Sequence, residues 1–491
     1  MTSRSVRYEE YASHGYDVSE DSVEDALTRV KITPSAKASG STGRARTKPM
    51  GAAKHSAAAS HRQNDTYMEA FDAAYDEMAE RHGVSGKADV RERSAPSKTA
   101  KEHIVRELET PSATTGEDYD GAWLSGPASP EGRVQNVSAQ PIMCMSMSPD
   151  RREVVVGSSD HALYTIPLGS SSAPGARGGR AAQGLGRSRT LYTKKFGHTE
   201  WVTCATYLPD NRILSGGMDS KLCLWDATGV KCEDLVGHSG SVTLVKTLSE
   251  EIAISASYDK TVRAWNVGRK ASSRQRELAS IKVGSAPILD MSVLATAAPS
   301  VITGDRDGCA HVVDVNDNKV SRKFTAAHRG HTTSVLASQY DESAVCFSGG
   351  QDGAVKVWDL RQKGSTPAHA LELHIDRKSG KAGAVGFIKE PDANTLITGG
   401  ADGTIKVLDK RASFKTLFTF AEHMDFIYSL HVEHQLCFSG AGNGMLHVHD
   451  WKRGKLLYGL GANQAAVRAI ETTPTQLIAA GDDGGVIVYD M

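Results

Sequence analysis

The 491-residue sequence contains no run of about 18 consecutive apolar residues, so no stretch is long enough for a membrane-crossing helix. Aromatic residues are scarce at 6%, and hydrophobic residues make up only 39%, which predicts a modest core. An excess of one charge is also missing. The 57 Lys+Arg stand against 58 Asp+Glu, a net charge of −1, which argues against a protein that coats nucleic acid or lipid with its whole surface. The first 30 residues carry Glu9, Glu10, Asp17, Glu20, Asp21, Glu24 and Asp25 without an apolar block, so no secretory signal is expected. The seven cysteines are odd in number and show no C-x-x-C spacing. Neither a disulfide framework nor a zinc knuckle is expected, and an intracellular, reducing compartment is favoured. The motifs G-x-S-x-G, H-E-x-x-H and G-x-x-x-x-G-K-[ST] are absent as well, so nothing points to a nucleophile elbow, a metalloprotease helix or a phosphate loop.

The chain divides near residue 131. Residues 1–131 lack sustained hydrophobic alternation and are rich in Ser, Ala, Gly and Lys/Arg, a composition that cannot offset its own chain entropy, so a largely disordered arm is expected. The arm is charge-blocked: acidic over the first 30 residues, then basic and free of acids over 31–64. Thr66-Tyr67-Met68-Glu69 reads as a capping box and predicts a helix over about 66–82, and a second candidate spans 97–109.

From about residue 132 the sequence repeats. Leu214–Asp226, Ile254–Asn266 and Phe347–Asp359 each hold a short apolar run, a tight Asp-containing turn and an alternating run ending in Trp-Asp or Trp-Asn. Weaker copies end at Asp314, Asp409, Asp450 and Asp490, and a degenerate one runs from Val154 to Ile166. The turn positions Asp160, Asp219, Asp259, Asp307, Asp352, Asp402, Asn443 and Asp483 are mostly 40 to 50 residues apart. Gly197-His198, Gly237-His238 and Gly330-His331 precede the three best copies. This pattern resembles the WD-repeat β-propeller family over roughly three quarters of the chain.

The resemblance implies an all-β fold, with eight blades favoured over seven and a strand from about 132–139 completing the last blade. It also implies that a His, a Ser/Thr, the turn Asp and the Trp brace each blade from within. Here those are His198, Ser215, Asp219 and Trp225; His238, Ser255, Asp259 and Trp265; and His331, Ser348, Asp352 and Trp358. Val313, Leu408, His449 and Tyr489 stand in the Trp position of weaker copies, which are expected to rely on packing. The His-Ser-Asp trio recurs at equal spacing, whereas an active site occurs once. No enzymatic activity, cofactor or metal is therefore expected.

Function is then expected on the end loops. The family's exposed positions fall here on Trp201, Met218, Tyr258, Arg306, Gln351, Phe426, Tyr428 and Asp482, and Trp, Tyr and Arg dominate binding hot spots. The resulting reading is a scaffold that joins proteins in a larger assembly, cytoplasmic and by analogy cytoskeletal or ciliary, with the nucleus left open. Block 31–64 or loop 169–189, which carries Arg177, Arg180, Arg187 and Arg189, would meet an acidic polymer such as the tubulin surface or RNA. Two alternatives accompany it. Trp358-Asp359-Leu360-Arg361 matches the box of substrate receptors on cullin–RING ubiquitin ligases, with Arg361 as the adaptor contact. The other is an RNA-associated factor.

Overall fold

The computed structural model describes residues 121–169, 185–192, 196–272, 276–294, 299–341, 344–375 and 381–491. The basic block 31–64, the helices expected at 66–82 and 97–109, and most of loop 169–189 lie outside the described residues.

Each repeat folds into one antiparallel four-stranded sheet, and the described residues form eight such sheets. We number them as blades: I (142–191), II (202–236), III (242–282), IV (288–324), V (332–372), VI (385–420), VII (427–461) and VIII (467–490 with 133–136). The first strands of successive blades adjoin, and that of blade VIII adjoins that of blade I, which closes the ring. No single sheet can cover both of its faces, so radial packing is what buries them. The second strands are mostly apolar or small, and Ile213–Gly217, Thr395–Gly400 and Leu436–Ala441 are wholly buried. The core accordingly lies between blades. One cluster joins Leu214, Leu222 and Leu224 of blade II to Val242, Val245 and Trp265 of blade III. Gly216 marks how close the approach is, because a Cβ there would stand 2.6 Å from Val242 Cγ1.

The last blade is completed from the N-terminal side. Arg133–Asn136 pairs antiparallel with Gly485–Asp490, and Arg133 Nη2 donates to Asp490 Oδ1 at 2.8 Å. The propeller's packing begins earlier than the composition break at 131 suggests. The short helix Gly121–Ser125 places Trp123, 2% exposed, in the cluster that joins blades VII and VIII. Its indole Nε1 donates to the Pro474 carbonyl at 3.1 Å, and its ring meets Phe438 edge-on.

Every blade's first strand carries a register shift after its first residue, as between Ile427 and Ser429 and between Val467 and Ala469. Such a bulge twists the strand and re-aims the extra side chain. Those extra residues include Thr203, Tyr428 and Arg468.

Candidate functional site

In blade II, Trp225 Nε1 donates to Ser215 Oγ at 3.2 Å, Ser215 Oγ lies 2.8 Å from His198 Nε2, and His198 Nδ1 lies 3.0 Å from Asp219 Oδ1. In blade III the same chain runs from Trp265 to Ser255 at 2.8 Å, on to His238 at 2.7 Å and to Asp259 at 2.8 Å. One proton arrangement satisfies all the members: the serine hydroxyl donates to Nε2, and Nδ1–H donates to the carboxylate.

In blade V the histidine is His328 rather than His331. Its Nε2 lies 2.8 Å from Ser348 Oγ and its Nδ1 3.0 Å from Asp352 Oδ1, while Trp358 Nε1 donates to Ser348 at 2.9 Å. The assignment of His331 rested on a spacing of 21 residues to the turn Asp. The hairpin between the first two strands of blade V, residues 338–344, is three residues longer than its counterpart 248–251, which displaces the histidine by that amount. Blade VI holds a brace that the motif did not reveal. His374 lies 2.9 Å from Thr398 Oγ1 and 2.9 Å from Asp402 Oδ1, with Leu408 in the Trp position.

Burial alone would raise the carboxyls of Asp219, Asp259, Asp352 and Asp402. The facing histidine's hydrogen bond, helped by backbone N–H groups and threonine hydroxyls, outweighs it and holds all four below the ordinary carboxylate range. The four histidines are buried within their own sheets.

The remaining blades substitute in different ways. Ser138 takes the histidine's place in blade I, donating to Asp160 at 2.7 Å, and Asn463 does so in blade VIII, donating to Asp483 at 2.6 Å. Blade IV has Gly284 there, and the buried imidazole of His311 fills the space, since a Cβ on Gly284 would stand 3.2 Å from His311 Cε1. In blade VII, His423 reaches Ser439 at 2.7 Å and stacks on His447, with ring centroids 4.2 Å apart.

The surface positions gather on one face. The backbone N–H of Met218 donates to the Trp201 carbonyl at 2.9 Å, that of Gln351 to His331 at 2.9 Å and that of Asp482 to Ala466 at 3.0 Å, so the turn before each Asp is tied to the loop after each brace. Met218 and Tyr258 are mostly buried, whereas Trp201, Arg306, Gln351, Phe426, Tyr428 and Asp482 are half-buried. His331, displaced from the brace, falls in the same position as Trp201 and lies against the Arg306 carbonyl.

Three of these positions, Phe426, Tyr428 and Asp482, come together with Arg468 on blades VII and VIII. The Arg468 guanidinium sits 5.1 Å from the centre of the Tyr428 ring, and its Nε and Nη2 donate to Asp482 at 2.7 and 3.2 Å. Phe426 is two residues from Tyr428, and Met424 beside them is 94% exposed. Arg468 was not anticipated from the sequence, because its role follows from the bulge that turns it toward Tyr428.

On the opposite face, Arg361 donates from Nε and Nη2 to Asp359 at 2.9 and 3.0 Å, and Arg411 grips Asp409 in the same way at 3.1 and 3.2 Å. The Asp-x-Arg part of the box thus closes a turn in the same way in blades V and VI, although blade VI has Leu408 in place of the Trp. Arg189 stays exposed while its guanidinium is tied to both Glu153 oxygens, to Thr165 and to the Thr228 carbonyl. A cleft of about 370 Å³ opens on this face between blades I, VII and VIII, lined by Arg151, His431, Glu433 and Glu471.

The profile of the WD domain, G-beta repeat, matches residues 189–226, 229–266 and 322–359, the segments that carry the three complete braces. Ribosome biogenesis protein YTM1 of Eremothecium gossypii is 23% identical over 54% of this chain and 68% of its own length. Ribosome biogenesis protein WDR12 homolog of Drosophila yakuba is 26% identical over 60% of this chain and 72% of its own. Among solved structures, Chaetomium thermophilum Sqt1 bound to the N-terminus of the ribosomal protein L10 superposes with a TM-score of 0.60 at 16% identity, covering 73% of this chain and 98% of that one, which is a likeness of fold. The cytoskeletal, ciliary and tubulin settings find no support in these similarities. With its repeated braces and eight closed blades, the chain belongs to the WD-repeat β-propeller family.

Proposed function

We propose that this protein is a non-catalytic scaffold of ribosome assembly that docks protein partners on the face bearing Phe426, Tyr428, Arg468 and Asp482. The observation that carries the reading is the inward direction of the braces: the histidine, serine and aspartate side chains are consumed by their own blades, which leaves recognition to the face above them. The Arg468–Tyr428 pair supports it, because a guanidinium held over an aromatic ring beside an exposed methionine has the make-up of a binding hot spot. Its relatives named for ribosome biogenesis supply the setting, and we place the protein in the compartment where ribosomal precursors form.

The test is sedimentation of the tagged endogenous protein. The reading expects it to travel with large ribosomal precursor particles, and the double variant Phe426→Ala, Tyr428→Ala to shift to light fractions with an unchanged melting temperature. Sedimentation of the parent protein as a free monomer, or its recovery with a ubiquitin-ligase adaptor in place of ribosomal precursors, would contradict it.

A further inference from the structure

Blade II carries two cysteines and a carboxylate on one side of its outer strands. Cys223 lies on the third strand, Lys221–Trp225, and Cys232 and Asp234 on the fourth, Cys232–Val236. The linear spacing Cys-x8-Cys-x-Asp matches no short metal motif; the strand pairing is what brings the three together. Cys223 pairs directly with Asp234 and Trp225 with Cys232, so the two cysteines are diagonal neighbours on the same face. One donor atom from each of the three residues lies within 4.8 Å of the other two.

The geometry points to a binding site for a thiophilic divalent cation, Zn²⁺ above all, with Cys223 Sγ, Cys232 Sγ and Asp234 Oδ1 as ligands. Both sulfur atoms stand 3.6 Å from Asp234 Oδ1. A tetrahedron with Zn–S of about 2.3 Å and Zn–O of about 2.0–2.2 Å has a sulfur–oxygen edge of about 3.5 Å, so the donors already stand at the separations the ion requires. The charge balance fits as well. Two thiolates and a carboxylate around Zn²⁺ leave one negative charge, and Lys221 Nζ stands 2.7 Å from Asp234 Oδ2, the oxygen turned away from the sulfurs. Lys221 thus offsets that charge and aims Asp234 Oδ1 at the site, as outer partners of metal ligands do.

A disulfide is the weaker reading of the same pair. Diagonal positions in an antiparallel ladder have Cα atoms about 7–8 Å apart, beyond the usual disulfide span of about 4.4–6.8 Å. Cysteine ligates as the thiolate, so binding must expel protons. Each cysteine that ligates releases its S–H proton to solvent as the metal–sulfur bond forms, and affinity therefore rises with pH. The fourth coordination position is left to water or to a donor brought by a partner. Cys223 is buried and Cys232 partly so, which places the ion where it would staple the last two strands of the blade.

The test uses the tag-free full-length protein, reduced and stripped of metal, titrated with Co²⁺ as a visible stand-in for Zn²⁺. Tetrahedral cobalt thiolate absorbs strongly in the visible and near-ultraviolet. The expected result is saturation at one equivalent, bleaching when Zn²⁺ is added, loss of the band in Cys232→Ser and Asp234→Asn, and retention in Cys309→Ser. Lys221→Met should weaken binding about ten- to a hundredfold. Cys232 and Asp234 reach solvent, and unchanged melting of their metal-free variants separates lost ligation from lost folding. Absence of the band at one equivalent, its survival in Cys232→Ser, or a Cys223–Cys232 disulfide as the resting state would overturn the assignment.

Discussion

His328 Nδ1 lies 3.0 Å from Asp352 Oδ1, while His331, three residues on and next to the glycine that marks the motif, lies against the Arg306 carbonyl at the surface. The buried member of the pair is the one that braces the blade. His328→Ala leaves Ser348 and Asp352 without their shared partner, at a cost of about 1–3 kcal/mol for an unsatisfied buried polar group. His331→Ala should cost clearly less. Thermal melting of the two variants side by side checks this.

Trp123 makes a second stability prediction. Its indole fills the space between blades VII and VIII and donates to Pro474. Trp123→Ala should destabilise the protein by about 3–5 kcal/mol, the usual cost of truncating a large buried aromatic. Trp123→Phe should recover most of the packing but not the hydrogen bond. Chemical denaturation of the two variants gives the comparison.

Acid should weaken blade VII first; in blade IV the Asp305 carboxyl, raised by burial to about 6, takes up a proton over the same range and offsets the loss at His311. Burial lowers His311 to about 4, His423 to about 3 and His447 to about 4, with neighbouring imidazoles adding to the effect in blade VII, against an ordinary value of 6.5. Between those limits the unfolded chain binds more protons than the folded one, so stability falls as pH drops below 6.5 and goes on falling until the folded values are reached. The braced aspartates add a further loss at still lower pH, since their depressed carboxyls must be protonated. Melting temperatures at pH 7.5, 6 and 5 should therefore decline, and His447→Gln should flatten the slope.

Arg361→Ala and Arg411→Ala should behave alike. Each guanidinium is exposed and grips the aspartate two residues before it, so each closes its own turn. Melting shifts should be small for both. A large loss of partner recovery confined to Arg361→Ala would instead support the ligase-adaptor reading.

The period of the repeat was legible because turn geometry fixes Asp at one place in nearly every copy, and because Trp225, Trp265 and Trp358 follow it at constant distance. Register was less legible wherever a loop changed length. His374 stands 28 residues before its aspartate and has no glycine before it, so the motif passes over it. His328 and His331 cannot be separated without the length of the hairpin that follows. Trp123 is a lone apolar residue in a segment whose average composition suggests disorder. Arg468 reaches Tyr428 only through a bulge, and Cys223 meets Cys232 and Asp234 only through strand pairing. In each case the missing information is long-range, carried by packing and not by neighbours in sequence.

The central claim is that His198, His238, His328 and His374 are internal braces. It is tested most directly by imidazole acylation of the native protein, mapped by mass spectrometry. The account predicts that these four, none more than 6% exposed, resist the reagent until the protein is unfolded, while the exposed His369 and His434 react at once. Rapid labelling of His198 or His238 in the folded protein would contradict it.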